Sequence, residues 1–162
     1  MRIRVATTAD VDAVHDCLVV AFERYRNDYT PAGFLDTVPA GDDLAKRMGT
    51  MTLLVAAQPG GRIVGTIAYQ AVGGGEGHLR GMAVLPALQG TGVAAALLTA
   101  AEEGLRAAGC SYVTLDTTKP LERAIRFYER LGYRPTGVVA DFHGMPLYEY
   151  AKSIIAGAGV PR

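Results

Sequence analysis

The segment Gln89-Gly90-Thr91-Gly92-Val93-Ala94 has the residue types of an anion-binding turn. It lies between an apolar stretch that ends near Pro86 and a helical pattern that begins at Gly92. Glycines let the backbone come close to a ligand, and the free N–H groups and dipole at a helix start attract negative charge. The turn therefore predicts a phosphate site that needs no basic side chain.

Two classes of cofactor fit such a turn. Gly90-x-Gly92-x-x-Ala95 satisfies the dinucleotide-binding fingerprint, and Asp116 follows at about the distance of a ribose-binding acid. That fingerprint normally opens its fold, but here it lies mid-chain with about 70 residues after it. So short a remainder is too small for the rest of a doubly wound domain plus a substrate domain. An NAD(P)-binding protein is therefore the alternative interpretation.

Hydrophobic periodicity predicts the elements that must hold this turn. Strands are predicted at 2–6, 52–57, 62–72, 78–84, 111–117, 133–139 and 145–154, and helices at 10–24, 42–48, 92–108 and 120–131. Residues 25–40 are a predicted loop in which a short helical turn is the alternative, and the glycine-rich segment 73–77 is a second predicted loop. An early hairpin and a later strand–helix–strand passage together predict an α/β (α+β) fold with a mixed, mostly antiparallel sheet. We expect about 6–7 strands, with helices on both faces.

Composition limits the classes of partner and location. The chain has 162 residues, of which 16 are basic and 16 acidic, so no net field draws it to nucleic acid or to an anionic membrane. We expect a single domain over residues 1–155, a frayed tail over 156–162, and a cytoplasmic location because no leader or membrane-spanning run is visible. The two cysteines, Cys17 and Cys110, lack metal-site spacing, so we expect buried thiols and no metal.

Two motifs together resemble the GNAT superfamily of acyl-CoA-dependent N-acyltransferases. Gln89-x-x-Gly92-x-Ala94 matches the Gln/Arg-x-x-Gly-x-Gly/Ala pattern of that family, and residues 82–86 (Met-Ala-Val-Leu-Pro) are similar to its strand 4. Residues 124–133 (Ala-Ile-Arg-Phe-Tyr-Glu-Arg-Leu-Gly-Tyr) are similar to its second signature, in which a helix carrying Phe-Tyr runs into Leu-Gly-aromatic. The resemblance extends from about residue 78 to residue 136.

The resemblance implies that strands 4 and 5 splay apart and that acetyl-CoA binds in the V between them. Backbone groups of strand 4 would bind the pantetheine arm, amides of the turn would bind the pyrophosphate, and an N–H near Met82 would polarise the thioester carbonyl. The residues implied to bind the cofactor are Met82, Ala83, Val84, Gln89, Gly90, Thr91, Gly92, Val93, Ala94, Ala95 and Tyr128.

The resemblance also assigns catalytic candidates. Tyr128 aligns with the usual general acid, although its spacing equally fits a tyrosine that only packs on the apolar side of its helix. His78 and Glu76 are the candidate general bases, and strand alternation places His78 and Arg80 on one face with Met82. The sequence fits equally well a His78 that lies in solvent at the start of a strand and has no catalytic role.

The acceptor amine is implied to lie against the first helix, the following loop and the final hairpin. The candidate acceptor-binding residues are Tyr25, Arg26, Tyr29 and His143. One departure from the family is Leu121, which stands where Asn is frequent, so a polar contact is missing or is supplied by Thr117, Thr118 or Lys119. Arg123 and Arg126 are candidates for the cofactor phosphates, or else partners of Glu122 and Glu129 on an exposed helix.

The predicted function is transfer of an acetyl group from acetyl-CoA to a primary amine of a small molecule or peptide, by direct attack in a ternary complex. The alternatives are the NAD(P)-binding protein described above and a non-catalytic acyl-CoA-binding module. No nucleic acid or membrane is expected as a partner, and a homodimer is an assembly that the sequence leaves open.

Overall fold

A computed structural model describes residues 1–155 and residue 160. Residues 156–159, 161 and 162 of the predicted tail lie outside the described residues. The strands are β1 (Arg2–Val5), β2 (Thr52–Ala57), β3 (Ile63–Gly73), β4 (Glu76–Val84), β5 (Tyr112–Thr117), β6 (Arg134–Phe142) and β7 (Met145–Ser153). The α-helices are α1 (Val11–Phe22), α2 (Pro31–Thr37), α3 (Gly41–Thr50), α4 (Val93–Ala107) and α5 (Glu122–Arg130).

The strands form one seven-stranded sheet in the order β1-β2-β3-β4-β5-β7-β6. The pair β4–β5 is parallel and the other neighbouring pairs are antiparallel. The predicted mixed, mostly antiparallel sheet is therefore confirmed, including the parallel pair that the strand–helix–strand passage indicated. No helix among residues 1–155 is long and apolar enough to cross a membrane.

The segment 25–40 contains more helix than the loop and short helical turn that the sequence predicts. It contains part of a 3-10 helix (Glu23–Asp28) and all of α2. The Thr30 hydroxyl group accepts a hydrogen bond from the Gly33 amide (3.1 Å), and Pro31 occupies the first helical turn, where its missing N–H costs nothing. The helix has seven residues, which is too short for an apolar period to reveal it.

Helix α4 packs closely on one face of the sheet because small residues lie beneath it. A Cβ atom placed on Gly65 of β3 would lie 2.9 Å from Leu97 Cδ1 and 3.1 Å from Val93 Cγ1. Most of the apolar side of this helix is buried, with Leu97, Ala101 and Leu105 fully inaccessible to solvent, whereas Ala108 near its end is exposed. This contact fixes the start of α4, and with it the turn from Gln89 to Ala94, relative to β3 and β4.

Strands β4 and β5 pair over only part of their length. Their register runs from Glu76↔Tyr112 to Leu79↔Leu115, and beyond that point the two strands part. A β-bulge lies just after the last pair. In it, Gly81 and Met82 of β4 oppose the single residue Ile67 of β3. Gly81 has φ of 64°, a left-handed conformation that favours glycine.

The bulge also corrects one prediction. Arg80 pairs with Ala68 and Ala83 pairs with Thr66, so these two β4 residues lie on the same face. The face that carries His78 and Arg80 therefore continues at Ala83 rather than at Met82, because the extra residue shifts the alternation by one. Glu76, expected in a glycine-rich loop, is the first residue of β4.

We predict that Gly65→Ala lowers the free energy of unfolding by about 1–3 kcal/mol, because the added methyl group would overlap Leu97 and Val93. Gly49→Ala is the control, since this α3 glycine is exposed and an added Cβ meets nothing within 4 Å. It should leave stability unchanged or raise it by up to about 1 kcal/mol. Urea unfolding of both variants measures the difference, and equal effects would contradict close packing of α4 on β3.

Candidate active site

A cavity of about 880 Å³ opens where β4 and β5 part. Its size is that of a small-molecule site. Most of the sequence-predicted site residues line it: His78, Met82, Ala83, Val84, Gln89, Gly90, Gly92, Ala94, Ala95, Tyr128, Tyr25 and Tyr29. The predicted site residues that do not line it are Glu76, Thr91, Val93, Arg26 and His143.

The turn before α4 presents backbone donors at one end of this cavity. Gly90 (φ 78°) and Gly92 (φ 93°) both adopt the left-handed conformation that lets the chain enter the helix there. The Ala96 amide donates to the Gly92 carbonyl (3.0 Å), so the N–H groups of the three preceding helical residues have no acceptor one turn back. The turn therefore offers several N–H groups to an anion.

Side chains of the turn have other roles. The Thr91 hydroxyl group donates to the Leu88 carbonyl, and the Thr91 amide donates to the same oxygen at 3.3 Å. Val93 is buried against the sheet. Arg123 of α5 also lines the cavity, and its Nη2 lies 3.6 Å from the position of a Cβ on Gly90. One guanidinium thus accompanies the backbone donors.

Thr117 and Thr118 follow the parting point on the β5 side. Thr117 is 3% exposed, and its Oγ1 has no hydrogen-bond partner among the residues that the structure describes. Buried hydroxyl groups are normally paired, so an unpaired one that lines a cavity indicates a ligand partner. The Thr118 hydroxyl group is instead paired with the Tyr29 hydroxyl group (2.7 Å).

His78 belongs to a chain of hydrogen bonds across the paired part of β4 and β5. The Thr114 hydroxyl group donates to Glu76 Oε2 (2.7 Å), since a carboxylate only accepts. The same hydroxyl oxygen lies 2.8 Å from His78 Nδ1 and must then accept from it. The arrangement assigns the Nδ1–H tautomer to neutral His78 and leaves the Nε2 lone pair free. Glu76, although outside the cavity, thus orients His78.

Asp116 faces the free nitrogen of this ring. Its Oδ2 lies 3.4 Å from His78 Nε2, longer than a strong hydrogen bond. Burial raises the pKa of the Asp116 carboxyl group, against the lowering effect of His78 and Arg80. Two acceptors at this distance can both accept hydrogen bonds from one ligand nitrogen that lies beside them.

Tyr128 lies on the opposite wall, on α5. Its ring packs edge-on against Tyr133, 5.7 Å between centroids, and Tyr133 is held by a hydrogen bond to the buried Glu102 (2.7 Å). Burial raises the pKa of Tyr128 above its usual value, so the phenol stays protonated at physiological pH. No side chain among residues 1–155 hydrogen-bonds its hydroxyl group, which leaves the group available to a ligand. Leu121, at the start of the same helix, contributes apolar wall where the family has Asn.

Two of the expected acceptor-binding residues have partners elsewhere. Arg26 forms an ion pair with Glu23 (2.9 Å), and its guanidinium stacks over the Phe34 ring (4.2 Å). His143 Nε2 lies 3.2 Å from Asp36 Oδ2 and lines an outer pocket of about 620 Å³. This outer pocket shares five residues with the main cavity: Asp36, Arg47, Met51, Gln70 and Arg80.

Sequence reasoning missed Asp116 as an acid of this site, and it missed Asp36 and Arg47 entirely. The parallel register could have revealed Asp116, because Thr114 pairs with His78 and Asp116 is the next residue on the same face. Asp36 and Arg47 belong to α2 and α3, and no local pattern indicates that these helices reach the strand 4 bulge.

Comparison with known proteins identifies relatives of the chain. Residues 13–133 match the acetyltransferase (GNAT) family. A glucosamine 6-phosphate N-acetyltransferase of Trypanosoma brucei brucei is 35% identical over 98 residues, which cover 57% of this chain and 65% of that protein, just under two thirds of its length.

Two solved structures share the fold. The crystal structure of an aminoglycoside 6'-N-acetyltransferase complexed with coenzyme A has a TM-score of 0.75 at 18% identity, and the superposition covers 98% of this chain and 100% of that one. The PaiA N-acetyltransferase of Thermoplasma acidophilum, in complex with coenzyme A, has a TM-score of 0.74 at 14% identity, covering 94% and 99%. At such identities the likeness concerns the fold.

We predict that Thr114→Val changes the tautomer of His78. In the unmodified protein the neutral ring should be the Nδ1–H form, and loss of the hydroxyl acceptor should shift it toward Nε2–H. Long-range ¹⁵N–¹H NMR of the imidazoles measures this. His15 is the internal control, because its Nδ1 lies 3.0 Å from the Pro39 carbonyl oxygen and should stay protonated in both proteins. An Nε2–H His78 in the unmodified protein would contradict the hydrogen-bond chain.

Proposed function

This chain belongs to the acetyltransferase (GNAT) family, and we propose that it transfers an acetyl group from acetyl-CoA to a primary amine of a small molecule or peptide. The observation that carries the proposal is the cavity at the parting of β4 and β5, with helix-start amides at one end and a free imidazole nitrogen in its wall. The names and coenzyme A complexes of the relatives support the same chemistry.

Acetyl-CoA supplies the activated acetyl group as a thioester. The backbone of Met82 and Val84, beyond the last β4–β5 pair, has edge groups that can bond the amides of a pantetheine arm. Thr117 Oγ1 is a further polar group without a partner in the described residues. The amides of Gly90 to Ala95, with Arg123, bind the pyrophosphate, and an N–H near Met82 polarises the thioester carbonyl.

The acceptor amine must reach the site as an ammonium ion and lose a proton. We assign the ammonium group to a position beside His78 Nε2 and Asp116 Oδ2, which are 3.4 Å apart and can both accept hydrogen bonds from one nitrogen. Asp116 attracts the charge, and His78 Nε2 accepts the proton because its Nδ1 is held by Thr114. Glu76 is a positioning residue that acts through Thr114.

Transfer forms the C–N bond and breaks the C–S bond. After attack the nitrogen releases its second proton to solvent, and the sulfur departs as a thiolate that carries negative charge. Tyr128 donates a hydrogen bond to that sulfur. Its raised pKa makes complete proton transfer to a thiolate less favourable, so stabilisation of the charge is its main contribution.

Attack by the amine itself, in a ternary complex, is favoured over a covalent enzyme intermediate. The chain contains two cysteines, and both are buried away from the cavity lining. Burial raises the pKa of Cys17 to about 11 and also raises that of Cys110. Neither thiol is therefore a nucleophile for the acetyl group.

The NAD(P) alternative is disfavoured by the sheet. A doubly wound nucleotide-binding domain needs a run of parallel strands, whereas this sheet has one parallel pair. Asp116, its candidate ribose ligand, faces His78 instead. A non-catalytic acyl-CoA-binding module predicts binding without turnover, so kinetics separates it from the enzyme.

The proposal predicts that acetyl-CoA, and not NAD(P), binds in calorimetry, and that an amine panel releases coenzyme A thiol. Tyr128→Phe keeps the packed ring and should lower kcat at least about tenfold while the Kd of acetyl-CoA changes less than about twofold. Tyr148→Phe is the control, because this β7 tyrosine does not line the cavity. Absence of acetyl-CoA binding, or equal kcat in the two variants, would count against the assignment.

A further inference from the structure

Arg47 is a cation on α3 whose side chain lines the catalytic cavity. Its half-buried side chain lines both the main cavity and the outer pocket. Nη2 donates to the Asp36 carbonyl (3.2 Å), and Nη1 lies 3.1 Å from the position of a Cβ on Gly81. The guanidinium therefore lies over the β4 bulge, next to the point where the two strands part.

The carboxylate nearest to Arg47 is already shared by two other groups. Asp36 Oδ1 accepts from Arg80 (2.7 Å), and Asp36 Oδ2 lies 3.2 Å from His143 Nε2. Arg47 forms no ion pair with any of the described residues, including Asp43 one turn earlier on α3. Burial and Arg80 lower the pKa of Arg47 to about 10, against the raising effect of Asp36, so the group remains charged at neutral pH.

A half-buried guanidinium with one backbone acceptor has most of its donors unused. Placing it beside a second arginine is unfavourable unless an anion joins them. Arg26, which the sequence suggested for acceptor binding, is paired with Glu23 and lies outside the cavity lining. Arg47, in contrast, lines the cavity and forms no ion pair with a described residue.

We propose that the acceptor is an amine that also carries an anionic group, a carboxylate or a phosphate, and that Arg47 binds this group beside the β4 bulge. The inference rests on the proposed acetyl transfer, because His78 and Asp116 hold the amine end. Arg47 Nη1 lies 3.1 Å from the position of a Cβ on Gly81, at the bulge of the strand that carries His78, and both side chains line the same cavity. A planar guanidinium fits either oxyanion by paired hydrogen bonds.

Matched acceptors test this inference. An α-amino acid is compared with its amide, and an aminoalkyl phosphate with its parent amino alcohol, in thiol-release kinetics. The unmodified protein should prefer the anionic member of at least one pair by about tenfold or more in kcat/KM, and the pair that shows it distinguishes carboxylate from phosphate. Arg47→Gln should lower kcat/KM about 10- to 100-fold for that anionic acceptor, mainly through KM, and less than about threefold for the neutral one.

Arg62→Gln is the matched control, since Arg62 is exposed in the β2–β3 turn and lines neither pocket. It should leave both members of each pair unchanged. Turnover of amines without preference for an anion, or an equal loss on both members in Arg47→Gln, overturns the inference while acetyl transfer stands.

If no amine is turned over, calorimetry on the protein saturated with coenzyme A tests whether Arg47 binds an anion. Coenzyme A occupies the pyrophosphate turn, so an added anion cannot bind there. The anion site is supported, although the proposed transfer fails, if the aminoalkyl phosphate or the amino acid binds and Arg47→Gln abolishes that binding. Absence of binding of both, with coenzyme A bound, overturns the anion site.

Discussion

The separation of β4 from β5 after the pair Leu79–Leu115 is the constraint on which the rest of the site depends. Paired strands would satisfy each other's backbone groups and leave no space between them. The bulge at Gly81 and Met82 bends β4 away and ends the pairing. The resulting V exposes strand edges to a ligand, and the turn before α4, Tyr128 and His78 surround it.

The chain has equal numbers of basic and acidic residues, 16 of each, so it binds anions through local arrangements rather than through a net field. Two such arrangements lie at different parts of the cavity. The turn with Gly90 and Gly92 offers backbone donors supported by Arg123, and α3 offers Arg47. The pair of His78 and Asp116, which lines the same cavity, is suited to a cation. This set of charges matches a donor with phosphates and an acceptor with both an amine and an anion.

Features carried by contiguous residues were predictable from the sequence. Helix α4 and the mixed sheet were confirmed, because local periodicity and turn chemistry decide them. Features that depend on tertiary placement were not. Helix α2 was too short to show a period. Arg26 and Arg47 each have an acidic residue within one helical turn, Glu23 and Asp43, but of these two arginines only Arg26 forms an ion pair with a described residue. Glu76 was a candidate general base in the sequence, but its hydrogen bond to Thr114 could be found only from the β4–β5 register.

Hydrogen–deuterium exchange of the protein with and without acetyl-CoA tests the central claim most directly, because it reports on the strand edges themselves. Amides in peptides covering residues 80–95 should exchange at least about tenfold more slowly with acetyl-CoA, as the open edge of β4 and the turn before α4 gain partners. Peptides covering β1 and the β2–β3 turn should be unchanged. Unaltered exchange in residues 80–95 at saturating acetyl-CoA, or protection confined to another part of the sheet, would contradict the account.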